Sequence, residues 1–452
     1  MEGRAACEGE ILGRSSTAVF AQHRIAASAL LIVLGVASGL IIGELAVRLL
    51  GLGKPEFYTY SSSRGWKLRA GASGWQTDEG RAFVRLNRWG YRGPAWTRAK
   101  PGGTLRIAVL GDSFIEAQQV AEQDTVCALI QGVLTDRLPA LAVGRYQALK
   151  RVQVMNFGVD GYGTAQEFFT LAEDVWQFFP DIVVLAFFPG NDIRNNSAVL
   201  EGDKCRPFFV PRGAGVVLGG PFEDSRLFHF RCFLRFESYR SQLLNVLGEA
   251  RSALRSIQRK RRQRAYQPPA LLRSARVAAN RLREPGINDL IYRPPINQDW
   301  RDAWNVSEAE IEMAAQNVHA HHALFLLLII GTGVQMAPNP AFQTGYLRAV
   351  GGTDLLYPSH RLAALGAQKG FAVLDLVPPM KTHAQAHRVY FHGFPNTAMG
   401  TGHWNQRGNC FAAGLIADKL AAMMAPLSHG AISTRNLNVR PELRNPAGAC
   451  AG

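Results

Sequence analysis

The sequence has few cysteines and no zinc-type spacing among them. The 452 residues include six Cys, at Cys7, Cys127, Cys205, Cys232, Cys410 and Cys450. No C-x-x-C pair occurs, which argues against a structural zinc site and against a dense disulfide framework. We therefore expect the protein to bind no metal and no cofactor. If the main domain lies outside the cytoplasm, Cys205 and Cys232 are the one pair that we consider for a bridge.

Acidic residues are missing from one long segment of an otherwise nearly balanced chain. Residues 251–283 contain ten Arg, one Lys and no Asp or Glu, so they carry +11 of the net charge of +15. No zinc-finger spacing or other nucleic-acid module accompanies them, and we expect no nucleic-acid partner. The segment is interpreted either as a solvated helical face or as a surface for anionic lipid headgroups or an acidic polysaccharide.

Only one hydrophobic run is long enough to cross a membrane. Residues 25–43 lack charge over 19 positions, which as a helix span about 28 Å, close to the ~30 Å hydrocarbon layer. A cleaved signal peptide is the alternative, but the run exceeds the usual apolar region and no clear cleavage site follows. We therefore predict a retained transmembrane helix at 25–47. Gly35, Gly39 and Gly43 form a small-residue face that either pairs helices in a homo-oligomer or reflects ordinary membrane-helix composition.

Strand and helix patterns alternate along the main part of the chain. Apolar strand patterns occur at 105–110, 152–157, 181–187, 323–330 and 371–376, and helical patterns at 124–138, 166–179, 308–322, 360–369 and 408–424. This alternation predicts an α/β fold, a three-layer α/β/α (flavodoxin-like) domain with a central parallel sheet of about five strands.

The same pattern divides the chain into segments. We expect an N-terminal segment at 1–24, a linker and lead-in at 48–103, the main α/β domain at 104–425 and a flexible tail at 426–452. About 130 residues between the third and fourth strands exceed an ordinary loop, so 195–320 is predicted to be a large insertion.

Polar turns follow the first three strands, where ligands bind in an open parallel sheet. Ser113 follows the first strand and precedes a helix, so its hydroxyl is a candidate nucleophile. Gly161 lies in the second turn, where its backbone N–H can approach a ligand. Asn191 lies in the third, and its amide can bind an oxyanion. His403, just before the last helix, is the best candidate base.

The order and spacing of these residues resemble the SGNH/GDSL hydrolase superfamily. The stretches at 111–114 (GDSF), 156–163 (NFGVDGYG), 190–192 (GND) and 402–405 (GHWN) are similar to its conserved blocks, and 86–94 (LNRWGYRGP) resembles the lead-in of membrane-anchored bacterial members. The resemblance implies that Ser113 is the nucleophile and His403 the base, with an oxyanion hole formed by Ser113, Gly161 and Asn191.

One feature of the family pattern is absent. Family members usually carry an Asp two or three residues before the His, where this chain has Thr401 and Gly400. Three interpretations stay open. A backbone carbonyl near Gly400 orients His403, an acid from elsewhere such as Asp375 reaches it, or catalysis is weak or lost, since the third triad member is worth on the order of 10⁴ in rate.

These features predict a membrane-anchored serine esterase or acyl hydrolase. The alternatives are an O-acyltransferase that modifies exported polysaccharide and a catalytically degenerate binding or assembly module. The expected substrate is an acylated glycan or a lipid or small-molecule ester. By its resemblance to anchored members, we expect a single-pass protein of the cell membrane with a periplasmic catalytic domain, although the Lys and Arg distribution around the span favours the opposite orientation.

Overall fold

The structure, a computed structural model, divides the chain into two compact units. It describes residues 5–425, except 143, 214, 221, 223–224, 239, 249, 252–253, 255–283 and 285. The first unit comprises residues 1–54 and 238–266, and the second comprises 55–237 and 267–452. Most of the basic segment 251–283 and all of the predicted tail 426–452 therefore lie outside the described residues.

The first unit is built on one long helix, α1, which spans Ala5–Leu49. Its part Ala26–Leu49 has a mean hydropathy of 2.4 and is long and apolar enough to cross a membrane, although a signal sequence has the same properties. Near its end, the Glu44 carboxylate accepts hydrogen bonds from the Ser241 hydroxyl and the Leu243 N–H. Leu243 also packs against Gly43, whereas Gly35 and Gly39 have open space around them. Pairing through the glycine face stays a prediction.

The second unit is organised around a five-stranded parallel sheet. Its strands are β5 (Thr104–Gly111), β6 (Arg151–Gly158), β7 (Ile182–Phe187), β10 (Leu324–Ile329) and β11 (Ala372–Asp375). They lie side by side in the order β11-β10-β7-β5-β6. Numbered within the sheet, this is the 2-1-3-4-5 order of flavodoxin-like folds. The predicted fold class and strand number are confirmed, and each predicted strand is present to within two residues at either end.

The sheet separates two hydrophobic cores because neighbouring side chains of a strand point to opposite faces. In β5, Ala108 and Leu110 join one core while Ile107 and Val109 join the other. All four are at most 1% exposed, which explains why each strand is a continuous apolar run rather than an alternating one.

Helices cover both faces of the sheet. They are α3 (Val126–Asp136), α5 (Thr164–Glu173), α8 (Gln298–Ala320), α10 (Tyr357–Lys369), α11 (Val377–His387) and α12 (Gln406–Met424), with shorter helices α2 (Ser113–Glu116), α4 (Leu138–Leu141), α6 (Asp192–Asn195) and α9 (Pro340–Ala349) between them. Helix α8 starts ten residues before the predicted 308, because the side chain of Asn297 caps it by accepting from the Trp300 N–H. Since α8 packs on α5, the insertion ends before Asn297 rather than at 320.

The segment predicted as a linker contains four short strands. They form two antiparallel hairpins, β1 (Tyr58–Ser61) with β2 (Gly65–Leu68) and β3 (Ser73–Gln76) with β4 (Ala82–Arg85). In the insertion, β8 (Phe208–Arg212) pairs with β9 (Gly215–Gly219), and helix α7 spans Arg226–Ser238. A disulfide joins Cys205 to Cys232, the pair that the sequence analysis considers.

Candidate active site

Ser113 lies at the carboxyl end of β5, where the strand turns directly into a helix. The preceding residue, Asp112, caps α2 by accepting a hydrogen bond from the Phe114 N–H at 2.9 Å. Ser113 is the first residue of α2 and is 7% exposed. This turn places the hydroxyl above the edge of the sheet where parallel strands bind ligands.

The imidazole of His403 meets the Ser113 hydroxyl, although 290 positions separate the two residues. Nε2 of His403 lies 2.7 Å from Oγ of Ser113, within hydrogen-bonding distance. The ring of Phe114 packs on the imidazole with centroids 5.1 Å apart. The structure thus brings together the two residues that the sequence predicts as nucleophile and base.

Glu79 binds the opposite side of the imidazole. Its Oε2 accepts a hydrogen bond from Nδ1 of His403, and its Oε1 accepts from the His403 backbone N–H at 2.8 Å. A carboxylate can only accept, so the proton of the neutral ring lies on Nδ1 and the lone pair of Nε2 faces Ser113. Ser113, His403 and Glu79 therefore have the connectivity of a hydrolase triad.

The surroundings favour a charged form of both partners in the His–Glu pair. Burial by itself lowers the pKa of His403, but the hydrogen bond and charge of Glu79, with smaller effects of Asp160 and Asp112, raise it above its ordinary value. Burial likewise raises the pKa of Glu79, yet its bonds to His403 bring it below the ordinary value. An imidazole that gains a proton readily beside a carboxylate has the character of a general base.

The loop that carries Glu79 is tied to the chain just before His403. Glu79 lies in the turn between β3 and β4, and the side chain of Asn396 bridges that turn. Its Oδ1 accepts from the Gly80 N–H at 3.0 Å, and its Nδ2 donates to the carbonyls of Thr77 and Gly80. Gly80 has φ +68°, and a Cβ there would lie 2.3 Å from the carbonyl oxygen of Gln119. The turn is therefore held in one conformation.

Gly161 lies in the turn after β6, at the same edge of the sheet as Ser113. Its φ of +73° is in the left-handed region that favours glycine. The preceding residue, Asp160, is held from two sides: its N–H donates to Glu116 at 2.6 Å, and its carbonyl accepts from the Trp66 indole at 3.1 Å. The hairpin β1–β2, which contains Trp66, thus braces the turn whose glycine the sequence predicts as an oxyanion donor.

Asn191 follows β7 and contacts the residue next to Ser113. Its Nδ2 donates to Oδ2 of Asp112 at 3.2 Å. Burial raises the pKa of Asp112 to about 6, while the bonds from Phe114 and Asn191 and the charge of His403 oppose that shift. An amide group has two N–H bonds, so the contact with Asp112 orients Asn191 and leaves a second N–H for a ligand.

A cavity of about 200 Å³ opens at Ser113 and His403. Its other lining residues are Gln76, Asp78, Glu79, Glu116, Gln118, Gln119 and Asp160. Glu116 is fully buried and also accepts from the Tyr58 hydroxyl at 3.2 Å. Burial, aided by the charge of Asp160, raises its pKa to about 7. Two larger cavities, of about 600 and 370 Å³, are lined by neither Ser113 nor His403.

Asp375 does not take the position that the sequence analysis suggests for it. It ends β11, and two strands separate β11 from β5, which at ~4.8 Å per strand puts about 14 Å between their axes. Its carboxylate instead accepts from the Val377 N–H at 2.9 Å. The suggestion that Asp375 orients His403 is therefore wrong, and Glu79 occupies that place.

Glu79 is the site residue that the sequence analysis missed. The family pattern directs attention to the residues before His403, whereas this acid lies 324 positions earlier. The local sequence offers only a weak signal, because the apolar positions Ala82, Val84 and Leu86 that follow Asp78-Glu79-Gly80 are interrupted by one polar residue, Arg85, too few for a clear strand pattern. Among the described residues, including those of the candidate site, no group of three or more His, Cys, Asp or Glu side chains could hold a metal ion.

No family model matches the chain, and no curated protein does. Several solved structures are similar to it. A lipolytic protein of the G-D-S-L family from Desulfitobacterium hafniense DCB-2 is 10% identical with a TM-score of 0.30, over 69% of this chain and 98% of that one. The acetyl xylan esterase AlAXEase is 11% identical with a TM-score of 0.34, over 70% and 100%.

A lipase/acylhydrolase from Enterococcus faecalis is 12% identical with a TM-score of 0.32, over 72% of this chain and 99% of that one. Similarity this low does not extend to activity or substrate, so the chemistry of the site rests on its own geometry. The structures named here are lipolytic proteins, esterases and acylhydrolases, the kind of protein that the four sequence motifs resemble.

Proposed function

We propose that this chain is a membrane-anchored serine hydrolase that cleaves ester-linked acyl groups. The observation that carries the proposal is the continuous contact from Ser113 Oγ through the imidazole of His403 to the Glu79 carboxylate, with 2.7 Å between Oγ and Nε2. The degenerate alternative was motivated by the missing Asp before His403. Glu79 supplies a carboxylate at that ring nitrogen, which favours a competent site.

In the proposed reaction, Ser113 attacks the acyl carbonyl while Nε2 of His403 takes the hydroxyl proton. The Glu79 carboxylate stabilises the imidazolium that results. His403 then gives the proton to the departing alcohol, and an acyl group stays on Ser113. Water attacks this acyl-enzyme with His403 again acting as base, which releases the acid and restores the free hydroxyl.

The negative charge that develops on the carbonyl oxygen needs hydrogen-bond donors. The proposed donors are the N–H groups of Ser113 and Gly161 and the amide of Asn191, and loss of one such donor typically costs about 2.7–4 kcal/mol. The bond from Asn191 to Asp112 and the bracing of Asp160 support this assignment, because donors that are held before the reaction need no reorganisation during it.

The anchor is proposed to be the apolar stretch Ala26–Leu49 as a retained membrane span, with the catalytic unit in the periplasm. The Cys205–Cys232 disulfide supports this orientation, since such bonds persist in oxidising compartments and are rare in the cytosol.

The experiment is ester hydrolysis by the full-length protein in detergent, with short-chain aryl esters as substrates. Ser113→Ala should lower kcat by about 10⁴-fold or more, because the nucleophile is lost. Ser62→Ala, an exposed serine in the β1–β2 turn, is the matched control and should keep full activity. Equal rates for wild type and Ser113→Ala would refute the proposal.

A further inference from the structure

The chain at His403 is held by two carboxyl groups that come from distant segments. Glu79 accepts from the His403 backbone N–H at 2.8 Å. Oε1 of Glu284 accepts from the preceding N–H, that of Gly402, at 2.6 Å. Glu284 is 5% exposed and does not line the cavity at Ser113. It therefore contacts the backbone that carries the imidazole without reaching the place where a substrate would bind.

The backbone at Gly402 has little freedom to move. Gly402 has φ +76°, in the left-handed region that favours glycine, and a Cβ there would lie 2.1 Å from Oε1 of Glu79. The residue thus lies between two carboxyl groups, one from Glu79 and one from Glu284. An acceptor that fixes its N–H also fixes the backbone from which the His403 side chain extends.

Glu284 lies near the end of the insertion, in a stretch that contacts other loops at the same edge of the sheet. The Asn288 N–H donates to the carbonyl of Gly190, the residue before Asn191, at 3.2 Å. The Tyr292 hydroxyl lies 2.7 Å from that of Thr332, which follows β10. These bonds tie the end of the insertion to the loops after β7 and β10, and so support Glu284 beside the loop of His403.

The charge of Glu284 acts on the same imidazole. Burial raises the pKa of Glu284 to about 7 and the charge of Glu79 adds to that shift, while the N–H groups of Gly402 and Gly333 and the charge of His403 oppose it. A carboxylate near an imidazole favours the protonated ring. The ionised form of Glu284 therefore favours the charge that His403 gains when it takes the Ser113 proton.

The other titratable groups around this pair are neutral or belong to the site already described. Burial keeps three of them neutral near pH 7, since it raises the pKa of the two tyrosines well above 7 and lowers that of the histidine to about 3: Tyr292, Tyr346 and His392. Glu79, Asp160 and Asp112 act on His403 as well. Replacing Glu284 leaves all of these groups in place, so its own contribution can be measured.

We infer that Glu284 is a positioning residue for His403, which fixes the Gly402 N–H and places a second negative charge near the imidazole. The inference rests on the proposed hydrolase function and adds to it. The base would then be held both by the β3–β4 hairpin, through Glu79, and by the insertion, through Glu284.

Two substitutions in the full-length protein separate the bond from the charge. Glu284→Gln keeps an oxygen for the Gly402 N–H and removes the charge, whereas Glu284→Ala removes both. With an aryl acetate, Glu284→Ala should lower kcat by about tenfold, and Glu284→Gln should stay within about threefold of wild type, because small misplacements of a positioned group are costly. A wild-type kcat in Glu284→Ala, or equal losses in both variants, would overturn the positioning role.

The pH profile of kcat/KM measures the effect of the charge. Loss of a nearby carboxylate should lower the midpoint of the profile by about 0.3 unit or more in Glu284→Gln. Asp375→Asn is the matched control, because Asp375 is a partly buried carboxyl that also accepts a backbone N–H bond but ends the outer strand β11. It should leave the midpoint unchanged. A midpoint in Glu284→Gln equal to that of wild type would contradict the inference.

NMR titration of the His403 ring, in full-length protein with isotope-labelled histidine, separates this inference from the hydrolase function. The signal is assigned by its absence in His403→Gln. If no ester is cleaved but the His403 pKa falls in Glu284→Gln, the hydrolase function fails while the action of Glu284 on His403 stands. If esters are cleaved and Glu284→Gln changes neither the midpoint nor the His403 titration, the hydrolase function stands and the role of Glu284 fails.

Discussion

Among single residues, Glu79 carries the most weight, because it determines which nitrogen of His403 faces Ser113. A buried imidazole with no acceptor at Nδ1 could adopt either tautomer, and only one of them leaves a lone pair on Nε2. The second bond of Glu79, to the His403 backbone N–H, also sets the position of the ring. The Glu79 side chain therefore both orients the imidazole of His403 and stabilises its positive charge.

Replacing Glu79 by Gln should lower kcat by about 10³–10⁴-fold, since an amide can stabilise the wrong tautomer and cannot balance the imidazolium charge. Glu122→Gln, at an exposed position, should have no effect. Rates measured with an aryl acetate check this, and a Glu79→Gln variant within threefold of wild type would show that His403 needs no carboxylate.

The pH dependence of the same variant follows from the raised pKa of His403. The base must be neutral, so kcat/KM of the wild type should rise with pH through a midpoint above the ordinary value of about 6.5. Loss of the Glu79 charge removes what raises the pKa, so the midpoint should move to lower pH in the residual activity of Glu79→Gln. A midpoint that stays unchanged would contradict the pairing.

At the scale of elements, the two hairpins of the lead-in shape the site in different ways: β3–β4 lines the cavity at Ser113, and β1–β2 contacts residues that line it. The hairpin β3–β4 presents Glu79 from its turn, and β1–β2 contributes Tyr58 and Trp66, which contact Glu116 and Asp160. The sheet positions the residues that follow its strands. The carboxylate that contacts the His403 imidazole comes from a hairpin and not from the sheet. In the proposed mechanism, the hairpins therefore belong to the catalytic site.

Asn396→Ala should loosen the β3–β4 turn without touching Ser113 or His403. We expect kcat to fall by about tenfold, because a small misplacement of a positioned group is costly, while the melting temperature changes by only a few degrees. The control is Asn339→Ala, which removes the cap of α9. Like Asn396, Asn339 has a side chain that bonds to the backbone, but its loss should leave kcat at the wild-type value. Equal kcat in both variants would show that the turn needs no tether.

At the scale of the whole molecule, two carboxyl groups that do not line the cavity at Ser113 are buried in the second unit. Glu167 on α5 and Glu310 on α8 are both fully buried, and neither has a hydrogen-bond partner among the described residues. Burial raises the pKa of each well above its ordinary value, and for Glu310 the nearby Glu167 adds to the shift. These groups are protonated in the folded state at a pH where the unfolded chain has ionised them.

Such groups make the fold less stable as pH rises. Their contribution is fully present below the ordinary Glu pKa of about 4.3 and is lost as the pH rises through the folded-state value. Glu310→Gln should therefore increase the free energy of unfolding at pH 8 by about 1 kcal/mol or more, with a smaller gain at pH 4. Urea unfolding at the two pH values measures this.

The control for Glu310→Gln is Glu308→Gln, on the same helix. Glu308 pairs with Arg361 at the partly exposed surface, so its loss should give no gain at pH 8. A Glu310→Gln variant that is equally or less stable than wild type at pH 8 would show that the buried carboxyl is ionised or compensated in the fold.

The sheet and the three strand-end residues could be predicted from the sequence, whereas the acid of the triad could not. Buried parallel strands are continuous apolar runs, and β5, β7 and β10 are unmistakable for that reason. The strands β3 and β4 have only four residues each, too short for alternation to stand out. The start of α8 was missed because Pro294 and Pro295 suggested a break, while the cap at Asn297 lies only two residues beyond them.

Contacts that depend on tertiary folding could not be predicted from the sequence either. Nothing in the local sequence around Glu79 indicates that its turn reaches His403, since that contact depends on Asn396 and on how the hairpin packs. Asp375 was suggested because it ends a strand, but the order of strands in the sheet places it far from Ser113.

The most direct test of the triad is covalent labelling of the nucleophile by an alkyl fluorophosphonate. Mass spectrometry of the full-length protein should find a single adduct on Ser113, formed much more slowly in His403→Ala and Glu79→Gln than in wild type. An adduct on another serine, or labelling of Ser113 at the same rate in all three proteins, would contradict the account.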